Sequence, residues 1–442
     1  MNAMGSHGLY WILGLLALAS FVGIPVAFAF AFASAVGLYF SLGGLAPVLG
    51  LLQQTMLDGV REYNFVVLPL FTVMGLLIAH SGAAADLFGV VNRRLTGVPG
   101  RLAVATVGGN AVFAAVTGVG IASAAAFSQV AYPQMRRAGY APSFATGCIA
   151  GSSVLGLLIP PSVFMIVWAI LTEQSVGRLF AGGVLPGLLL ASLYAAYCML
   201  AASAWPRLAP PLPPAAAAEP RDAAALRSER IGWIGVALLI GVTLGGIWLG
   251  FVTPTEGSAL GLLGALLLAL AKGMPARSLA QSFVVAGKTT TPVLLLLLCA
   301  TMYTKLLALE GVPDQVRALL EALGLGPAGT VLFMVATWFL LGCLIDSISI
   351  MLLTVPMFWP IAQALGIEPI TFALVGILVI EAGVLTPPFG IGVFVVKAAV
   401  PDRSVRVNDI FAGAAPYWLL ILATAAAVWF WPPLATWLPS RM

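Results

Sequence analysis

Long apolar blocks separated by short polar breaks run along the whole chain. Most of the twelve blocks are at least as long as the roughly 20 residues with which a helix crosses a hydrocarbon core. Their apolar runs are unbroken, whereas strands of a membrane β-barrel alternate in polarity. The pattern predicts an all-α polytopic membrane protein. The blocks are 8–22, 25–44, 65–92, 102–133, 141–171, 179–205, 232–252, 257–271, 282–309, 326–366, 370–400 and 410–438.

The composition agrees with this prediction. Of the 442 residues, 61% are hydrophobic and 8% are charged, whereas a soluble domain carries about 25% charged residues. Most of the surface is therefore expected to face the lipid bilayer. The net charge of +4 is small, and we interpret its distribution as a signal of membrane topology and not of nucleic-acid binding.

The block 102–133 has basic residues close to both of its ends. Because Lys and Arg in short loops mark the cytoplasmic side, both ends are expected on that side. The length of the block fits two half-length helices, with a turn at Thr117-Gly118-Val119-Gly120. The block is predicted to be a re-entrant helical hairpin that enters from the cytoplasm. The flanking residues are Arg93, Arg94, Arg101, Arg136 and Arg137.

The block 326–366 has the opposite surroundings. It contains no Lys or Arg, follows an acidic stretch and precedes Glu368, and its centre is Asp346-Ser347-Ile348-Ser349. We expect a second re-entrant hairpin there, entering from the periplasmic side. If the other ten blocks are successive membrane spans, the basic loops lie on one side of the membrane and both termini lie outside.

Landmarks in the first half of the chain recur in the second half. An odd number of crossings in each half would insert the second half upside down. The sequence thus predicts two inverted repeats, 1–205 and 232–442, joined by a cytoplasmic linker at 206–231. Interrupted hydrophobic segments at matching positions of inverted halves are typical of secondary transporters, which bind their substrate at the interruptions. The landmarks are Pro25 and Pro254 (offset 229), Thr117 and Asp346 (229), and Pro160-Pro161 and Pro387-Pro388 (227).

The two Pro-Pro pairs and the two hairpin centres are the candidate binding site. A Pro-Pro pair inside the membrane unwinds its helix locally, and the freed carbonyl groups then need a cavity or an ion as partner. A simple kink is the alternative explanation for each pair, and a structural polar contact is the alternative for Asp346 and Glu381. The candidate substrate- and ion-binding residues are Thr117, Gly118, Gly120, Pro160, Pro161, Ser162, Asp346, Ser347, Ser349, Glu381, Thr386, Pro387 and Pro388.

The expected chemistry at this site is binding of ions and not catalysis. Unwound carbonyls and hydroxyls suit a hard cation such as Na⁺, with Thr117, Ser347 and Thr386 as candidate ligands. Half-helix N-termini suit an organic anion. The chain contains no nucleotide-binding loop of the GxxxxGK[ST] type and no hydrolase motif. We therefore expect a transporter, not an enzyme, with no cofactor apart from the coupling ion.

The sequence resembles the large membrane subunit of tripartite ATP-independent periplasmic (TRAP) transporters over nearly its whole length. Two stretches depart from the family pattern. Thr117-Gly118-Val119-Gly120 stands where the family reads Ser-Gly-Ser-Ser, and Ser153-Val154 stands where it reads Gly-Thr. The motifs that carry the resemblance are Gly245 to Glu256 (GGIWLGFVTPTE), Leu158 to Ser162 (LIPPS), Gly383 to Gly390 (GVLTPPFG), Leu179 to Gly187, Leu68 to Phe71, and Gly342 to Asp346 with Pro356 and Pro360.

This resemblance implies an ion-transporter-like fold that works by an elevator movement in the bacterial inner (cytoplasmic) membrane. It implies coupling to a Na⁺ gradient and a carboxylate substrate, that is, a small organic acid. It also implies two protein partners, a small four-helix TRAP membrane subunit and a periplasmic substrate-binding protein. Because this chain contains the large-subunit blocks alone, the small subunit is expected to be a separate polypeptide.

Two other functions stay open at this point. One is a stand-alone carboxylate carrier that uses Na⁺ or protons without a binding protein. The other is a membrane scaffold or an embedded enzyme, for which substitution of Ser347 and Thr386 would leave the function intact.

Overall fold

The computed structural model describes residues 11–12, 14–16, 22–118, 120–211, 223–388 and 390–442, and the described chain is helical throughout, with turns and short 3₁₀ segments between the helices. Most of the first predicted block, 8–22, lies outside the described residues. The helices before the linker are α1 (Val26–Leu42), α2 (Leu45–Arg61), α3 (Val67–His80), α4 (Ala83–Arg94), α5 (Arg101–Thr117), α6 (Gly120–Arg137), α7 (Pro142–Ser153), α8 (Leu155–Leu158), α9 (Val163–Thr172) and α10 (Val176–Ala204).

The second half repeats this succession of long and short helices. Its helices are α11 (Ala223–Trp248), α12 (Pro254–Ala271), α13 (Ala276–Leu309), α14 (Val312–Ala322), α15 (Pro327–Gly342), α16 (Ser347–Ala364), α17 (Pro369–Val384), α18 (Ile391–Ala399), α19 (Val407–Phe430) and α20 (Pro433–Thr436). The starts of α1, α5, α6 and α7 recur at α12, α15, α16 and α17, which begin 228, 226, 227 and 227 residues later. The helix order is thus compatible with two repeats, whereas their inverted orientation stays a prediction.

Within the described residues, seven helices are long and apolar enough to cross a membrane, or nine if each of two bent helix pairs counts as one span. This finding confirms the all-α polytopic prediction. The count differs from the predicted ten spans for three reasons: most of block 8–22 lies outside the described residues, α1 and α17 are shorter than a full span, and Ser347–Ala364 of the second predicted hairpin counts as a span. Three of the predicted blocks are also divided into shorter helices. The divided blocks are 65–92, 141–171 and 370–400.

Three polar segments differ from their prediction as loops. Helix α2 lies between two predicted spans, and α14 precedes the second predicted hairpin. Both are amphipathic; in α14 the buried residues Val312, Val316 and Leu320 recur every four positions and so share one face. In addition, α11 begins at Ala223, so the last nine residues of the predicted linker 206–231 are helical.

A cluster of aromatic rings joins the two halves. Trp168 of α9 is fully buried, and its ring centroid lies 5.7 Å from that of Trp338 in α15 and 5.8 Å from that of Phe372 in α17. Gly376 leaves the room for this indole, since a Cβ atom there would lie 2.2 Å from the Trp168 ring. Edge-to-face contacts of this kind stabilise a core beyond the area that they bury. The cluster therefore holds a broken helix of the first half against the second predicted hairpin.

Candidate functional site

A cavity of about 280 Å³ lies between the interrupted helices of the two halves. Five of the predicted site residues line it: Gly118 and Gly120 at the first hairpin break, and Asp346, Ser347 and Glu381 from the second half. The other eight lie outside its lining, close to the same breaks. These are Thr117, Pro160, Pro161, Ser162, Ser349, Thr386, Pro387 and Pro388.

The first break separates α5 from α6 and packs against the first Pro-Pro segment. Gly118 ends α5 with a φ of 62°, in the left-handed region, which glycine adopts without strain. A Cβ atom at Gly118 would lie 2.3 Å from the Pro161 carbonyl oxygen. The Gly118 carbonyl in turn accepts a hydrogen bond of 3.4 Å from the Val163 N–H. The turn therefore fits directly onto the unwound segment, and the side chain of Thr117, which donates to the Phe113 carbonyl at 3.0 Å, points into its own helix.

The first Pro-Pro segment interrupts a helix as the sequence predicts. Residues 159–162 are not helical, the Pro160–Pro161 bond is cis, and the helical segments on the two sides make an angle of 40°. Ser162 closes the interruption, since its Oγ donates to the Leu157 carbonyl at 2.6 Å and accepts the Met165 N–H at 3.4 Å. The Ser162 hydroxyl thus caps α9, which is the usual role of serine immediately before a helix.

The second break lies at residues 343–346, so that Ser347 is already helical and the predicted centre of the hairpin falls partly inside α16. Asp346 caps α16, accepting the Ser349 N–H at 3.0 Å and the Ser349 Oγ–H at 2.6 Å. A carboxylate at a helix N-terminus is stabilised by the helix dipole. Ser349 therefore supports Asp346 and does not face the cavity itself.

The second Pro-Pro segment packs against this break through two side-chain contacts. Ser347 Oγ donates to Glu381 Oε1 at 2.6 Å, and Cys343 Sγ lies 2.8 Å from Thr386 Oγ1. Thr386 Oγ1 also donates to the Gly383 carbonyl at 2.6 Å, and the Pro387–Pro388 bond is cis. In both halves, a hairpin break and a Pro-Pro interruption thus touch each other beside the cavity.

The three predicted Na⁺ ligands are not gathered around one point of the cavity. Ser347 lines it, whereas Thr117 and Thr386 lie outside the lining and donate to carbonyls of their own segments. The described residues contain no cluster of three or more His, Cys, Asp or Glu side chains that could hold a metal ion. Among the residues that line the cavity, Asp346, Ser347 and Glu381 carry side-chain oxygen atoms of the type that hard cations prefer.

Sequence reasoning missed the hydroxyl groups that α3 and α13 bring to the cavity. Thr72 of α3, and Thr289 and Thr290 of α13, also line the cavity. The polar run from Lys288 to Thr291 inside an otherwise apolar block could have indicated α13. An isolated Thr72 in an apolar helix gave no such signal, because threonine hydroxyls commonly bond to their own helix, as this one does to the Leu68 carbonyl at 2.8 Å.

A polar contact at the cytoplasmic side of the predicted topology ties α6 to the loop before α19. Asp402 accepts hydrogen bonds from Tyr132 Oη of α6 at 2.8 Å and from Ser404 Oγ at 2.6 Å. The bonds from Ser404 and Tyr132, with the nearby Arg136 guanidinium, hold the pKa of the Asp402 carboxyl below its ordinary value. The carboxylate is therefore ionised at neutral pH.

The chain has apolar helices of spanning length, and each half contributes a hairpin break and a Pro-Pro interruption beside one cavity. These features define a polytopic helical membrane transporter. Two solved transporter structures share the fold. They are the YdaH transporter of Alcanivorax borkumensis (TM-score 0.59, 14% identity, 90% of each chain) and MtrF of Neisseria gonorrhoeae (TM-score 0.59, 14% identity, 99% of this chain and 96% of that one). At this identity the likeness concerns the fold alone.

The chain belongs to the DctM component family of tripartite ATP-independent periplasmic transporters, whose family model matches residues 13–434. It is 30% identical to the ectoine TRAP transporter large permease protein TeaC of Halomonas elongata, over 97% of both chains. It is also 30% identical to the C4-dicarboxylate large permease protein DctM of Pseudomonas aeruginosa, over 86% of this chain and 87% of that one. The sialic acid large permease protein SiaM of Vibrio cholerae is 27% identical over 97% and 96%.

Family membership confirms the predicted resemblance and a coarser part of the predicted function. The chain is a multi-pass membrane protein and the large permease component of a TRAP transporter, and its relatives are permeases and not enzymes. The family implies a small membrane subunit and a periplasmic binding protein as partners. Some relatives carry a longer permease chain, such as the isethionate permease protein DctMQ, of which this chain covers 62%.

Proposed function

We propose that this chain forms the transport pathway of a Na⁺-coupled TRAP system that takes up an organic acid across the bacterial inner membrane. The periplasmic binding protein delivers the carboxylate substrate, and a separate small four-helix subunit completes the membrane complex. The observation that carries the proposal is the cavity itself, because both halves contribute a helix break to its lining. Such interrupted helices supply the free backbone N–H and C=O groups with which transporters bind ions and substrate.

The coupling ion is proposed to bind at the second break. Asp346, Ser347 and Glu381 supply carboxylate and hydroxyl oxygens there, and carboxylates strengthen the binding of a hard cation. The first break offers mainly backbone groups at Gly118 and Gly120, since this chain lacks the serines usual at that turn. Binding of Na⁺ is therefore expected to depend more on the second half than on the first.

Access to the cavity is proposed to alternate by an elevator movement. The breaks and the Pro-Pro interruptions touch one another, and the aromatic cluster around Trp168 holds α9 against α15 and α17. These elements can move together as one packed body. The threonines of α3 and α13 line the same cavity.

Uptake into proteoliposomes tests the proposal. The vesicles contain this chain and its small subunit, and the binding protein with its solute is added outside under an inward Na⁺ gradient, with K⁺ replacing Na⁺ in the control. We expect uptake to require the Na⁺ gradient and the binding protein. The Ser347→Ala variant is expected to need several times more Na⁺ for half-maximal uptake, whereas Ser203→Ala, an exposed serine on α10, leaves the Na⁺ dependence unchanged.

Three results would contradict parts of this proposal. Uptake that ignores an imposed Na⁺ gradient refutes the coupling. Uptake of the free solute at full rate without the binding protein favours a stand-alone carrier. An unaltered Na⁺ dependence of uptake in the Ser347→Ala variant removes the second break from the proposed ion site.

A further inference from the structure

A second cavity lies at the start of α5, at the end of this helix that is remote from the Gly118 break. It has a volume of about 330 Å³, and we call it the linker cavity. Its lining comes from residues 97–101, from Tyr140 between α6 and α7, from the end of α10 and from the first residues of the linker. The described residues that line the two cavities do not overlap. The proposed function therefore assigns no role to the linker cavity.

The walls of the linker cavity are held together by close backbone contacts. The Ala141 N–H donates a hydrogen bond of 2.9 Å to the carbonyl of Leu208 in the linker. Gly100, with a φ of 66°, packs directly onto α10, because a Cβ atom at this position would lie 2.8 Å from the Cys198 carbonyl oxygen. The start of the first hairpin, the loop before α7, α10 and the linker thus meet at one place.

The side chain of Arg101, which lines the linker cavity, is buried without a compensating charge. Arg101 is 4% exposed, and its Nε atom is buried and makes no hydrogen bond. Within the described part of the chain, no carboxylate lies within salt-bridge distance of its guanidinium. Burial of a charge is costly unless an opposite charge and hydrogen bonds compensate it. An anion bound in the cavity would provide both.

Two further donors lie beside this guanidinium. Tyr140 is fully buried, lines the cavity and has an Oη atom without a hydrogen-bond partner. Burial raises the pKa of the Tyr140 phenol to about 12, although the nearby Leu102 N–H and Arg101 guanidinium act in the opposite direction. The hydroxyl therefore keeps its proton at neutral pH and is able to donate it. The other donor is the start of α5, where Gly100 provides no side-chain cap for the first N–H groups of the helix.

We propose that the linker cavity binds a phosphate group, to which Arg101, Tyr140 and the first N–H groups of α5 donate hydrogen bonds. A phosphate group carries several oxygen atoms around one centre, so it can accept from a guanidinium, a phenol and backbone N–H groups together. The group belongs to a lipid headgroup or to a free phosphate of the cytoplasm, because the cavity lies on the predicted cytoplasmic side of the membrane. A bound phosphate group would connect the first hairpin to the linker between the two halves.

Thermal unfolding with three ligands tests this inference and distinguishes the two sources of phosphate. The complex of this chain with its small subunit is purified in a neutral detergent and freed of phospholipid, as checked by a phosphorus assay. It is titrated with inorganic phosphate, with dioctanoyl phosphatidic acid and with dioctanoylglycerol, which lacks the phosphate group, at constant Na⁺ concentration and ionic strength. We expect a phosphate-bearing ligand to raise the Tm and dioctanoylglycerol to leave it unchanged. A response to phosphatidic acid alone assigns the site to a lipid headgroup, and a response to inorganic phosphate assigns it to a free phosphate; both support the inference.

Two substitutions remove the proposed donors separately. Arg101→Met is expected to raise the ligand concentration for a half-maximal Tm shift by at least about tenfold. Without ligand, its Tm should equal or exceed that of the unaltered chain, because a buried unpaired charge is lost. Tyr140→Phe removes the hydroxyl alone and is expected to weaken binding about threefold to tenfold. Arg137→Met, at an exposed arginine on the same predicted side of the membrane, is the matched control and is expected to bind like the unaltered chain.

Three results would overturn the inference, and none of them bears on Na⁺-coupled uptake. The first is a Tm of the unaltered chain that responds to neither phosphate-bearing ligand. The second is an equal loss of the response in Arg137→Met and Arg101→Met, which would indicate nonspecific attraction to positive charge. The third is a ligand-free Arg101→Met variant with a clearly lower Tm. That result would indicate that Arg101 already pairs with a carboxylate of the linker, Glu219 or Asp222, which lie outside the described residues.

Discussion

Replacement of Gly118 by alanine is expected to disrupt the contact between the first hairpin break and the Pro-Pro segment. The backbone at this position has a φ of 62°, and a non-glycine residue in that region costs about 1–2 kcal/mol. The new Cβ atom would also lie 2.3 Å from the Pro161 carbonyl oxygen, so that one of two backbone segments has to move. Overpacking of this kind adds about 1–3 kcal/mol. The total loss of stability is thus about 2–5 kcal/mol.

Gly82 provides the matched control for this substitution. Its φ of 81° is similarly left-handed, but no atom lies within 4 Å of the position of a Cβ atom. Gly82→Ala should therefore show the backbone cost alone, about 1–2 kcal/mol, and should retain uptake. Thermal unfolding of the purified complex and uptake in proteoliposomes measure the two effects. If both variants have the same Tm and the same uptake, the packing of Gly118 on Pro161 does not matter and the reasoning fails.

Three further substitutions test other parts of the structure. Trp338→Ala removes a buried ring of the aromatic cluster and is expected to cost about 3–5 kcal/mol, seen as a lower Tm; an unchanged Tm would contradict the role of the cluster. Lys272→Met removes the ammonium group of the nearly buried ion pair with Asp86 and is expected to lower the free energy of unfolding by about 3 kcal/mol, seen as a lower Tm. Arg317→Met, which removes the charge of an exposed pair with Glu321, should have little effect on the Tm. The pKa of Asp402 is lowered, so the stabilisation from its contacts with Tyr132 and Ser404 is expected to be complete above about pH 4 and to be lost as the pH falls further. Asp402→Asn should remove this part of the acid dependence of unfolding. Identical acid unfolding curves for the variant and the unaltered chain would refute this role of Asp402.

The interruptions of the helices could be predicted from the sequence because their causes are local. A Pro-Pro pair cannot continue a helix, and glycine at 118 permits the left-handed turn that ends α5. Serines near such breaks were harder to interpret. Ser162 and Ser349 belong to capping interactions instead of facing the cavity, and sequence alone does not distinguish a capping hydroxyl from a ligand-binding one.

The remaining differences have a tertiary origin. The pattern of apolar blocks does not indicate α2 and α14, because each of these amphipathic helices buries a single face and has a lower mean hydropathy than a membrane span. The threonines of α13 reach the cavity through the packing of distant helices, and no local pattern encodes that packing. The hydrogen bond between Ser347 and Glu381 has the same origin, because 34 residues of chain separate the two side chains.

The indole of Trp168 also has a consequence for how the protein is made. Its ring partners Trp338 and Phe372 are translated about 170 and 204 residues later. While the ribosome works through the intervening chain, α9 lacks the rings that surround it in the finished protein, and lipid or an insertion factor has to cover the indole in the meantime. Biogenesis of the two halves is therefore interdependent, because α9 of the first half can reach its final packing only after α15 and α17 of the second half have been synthesised.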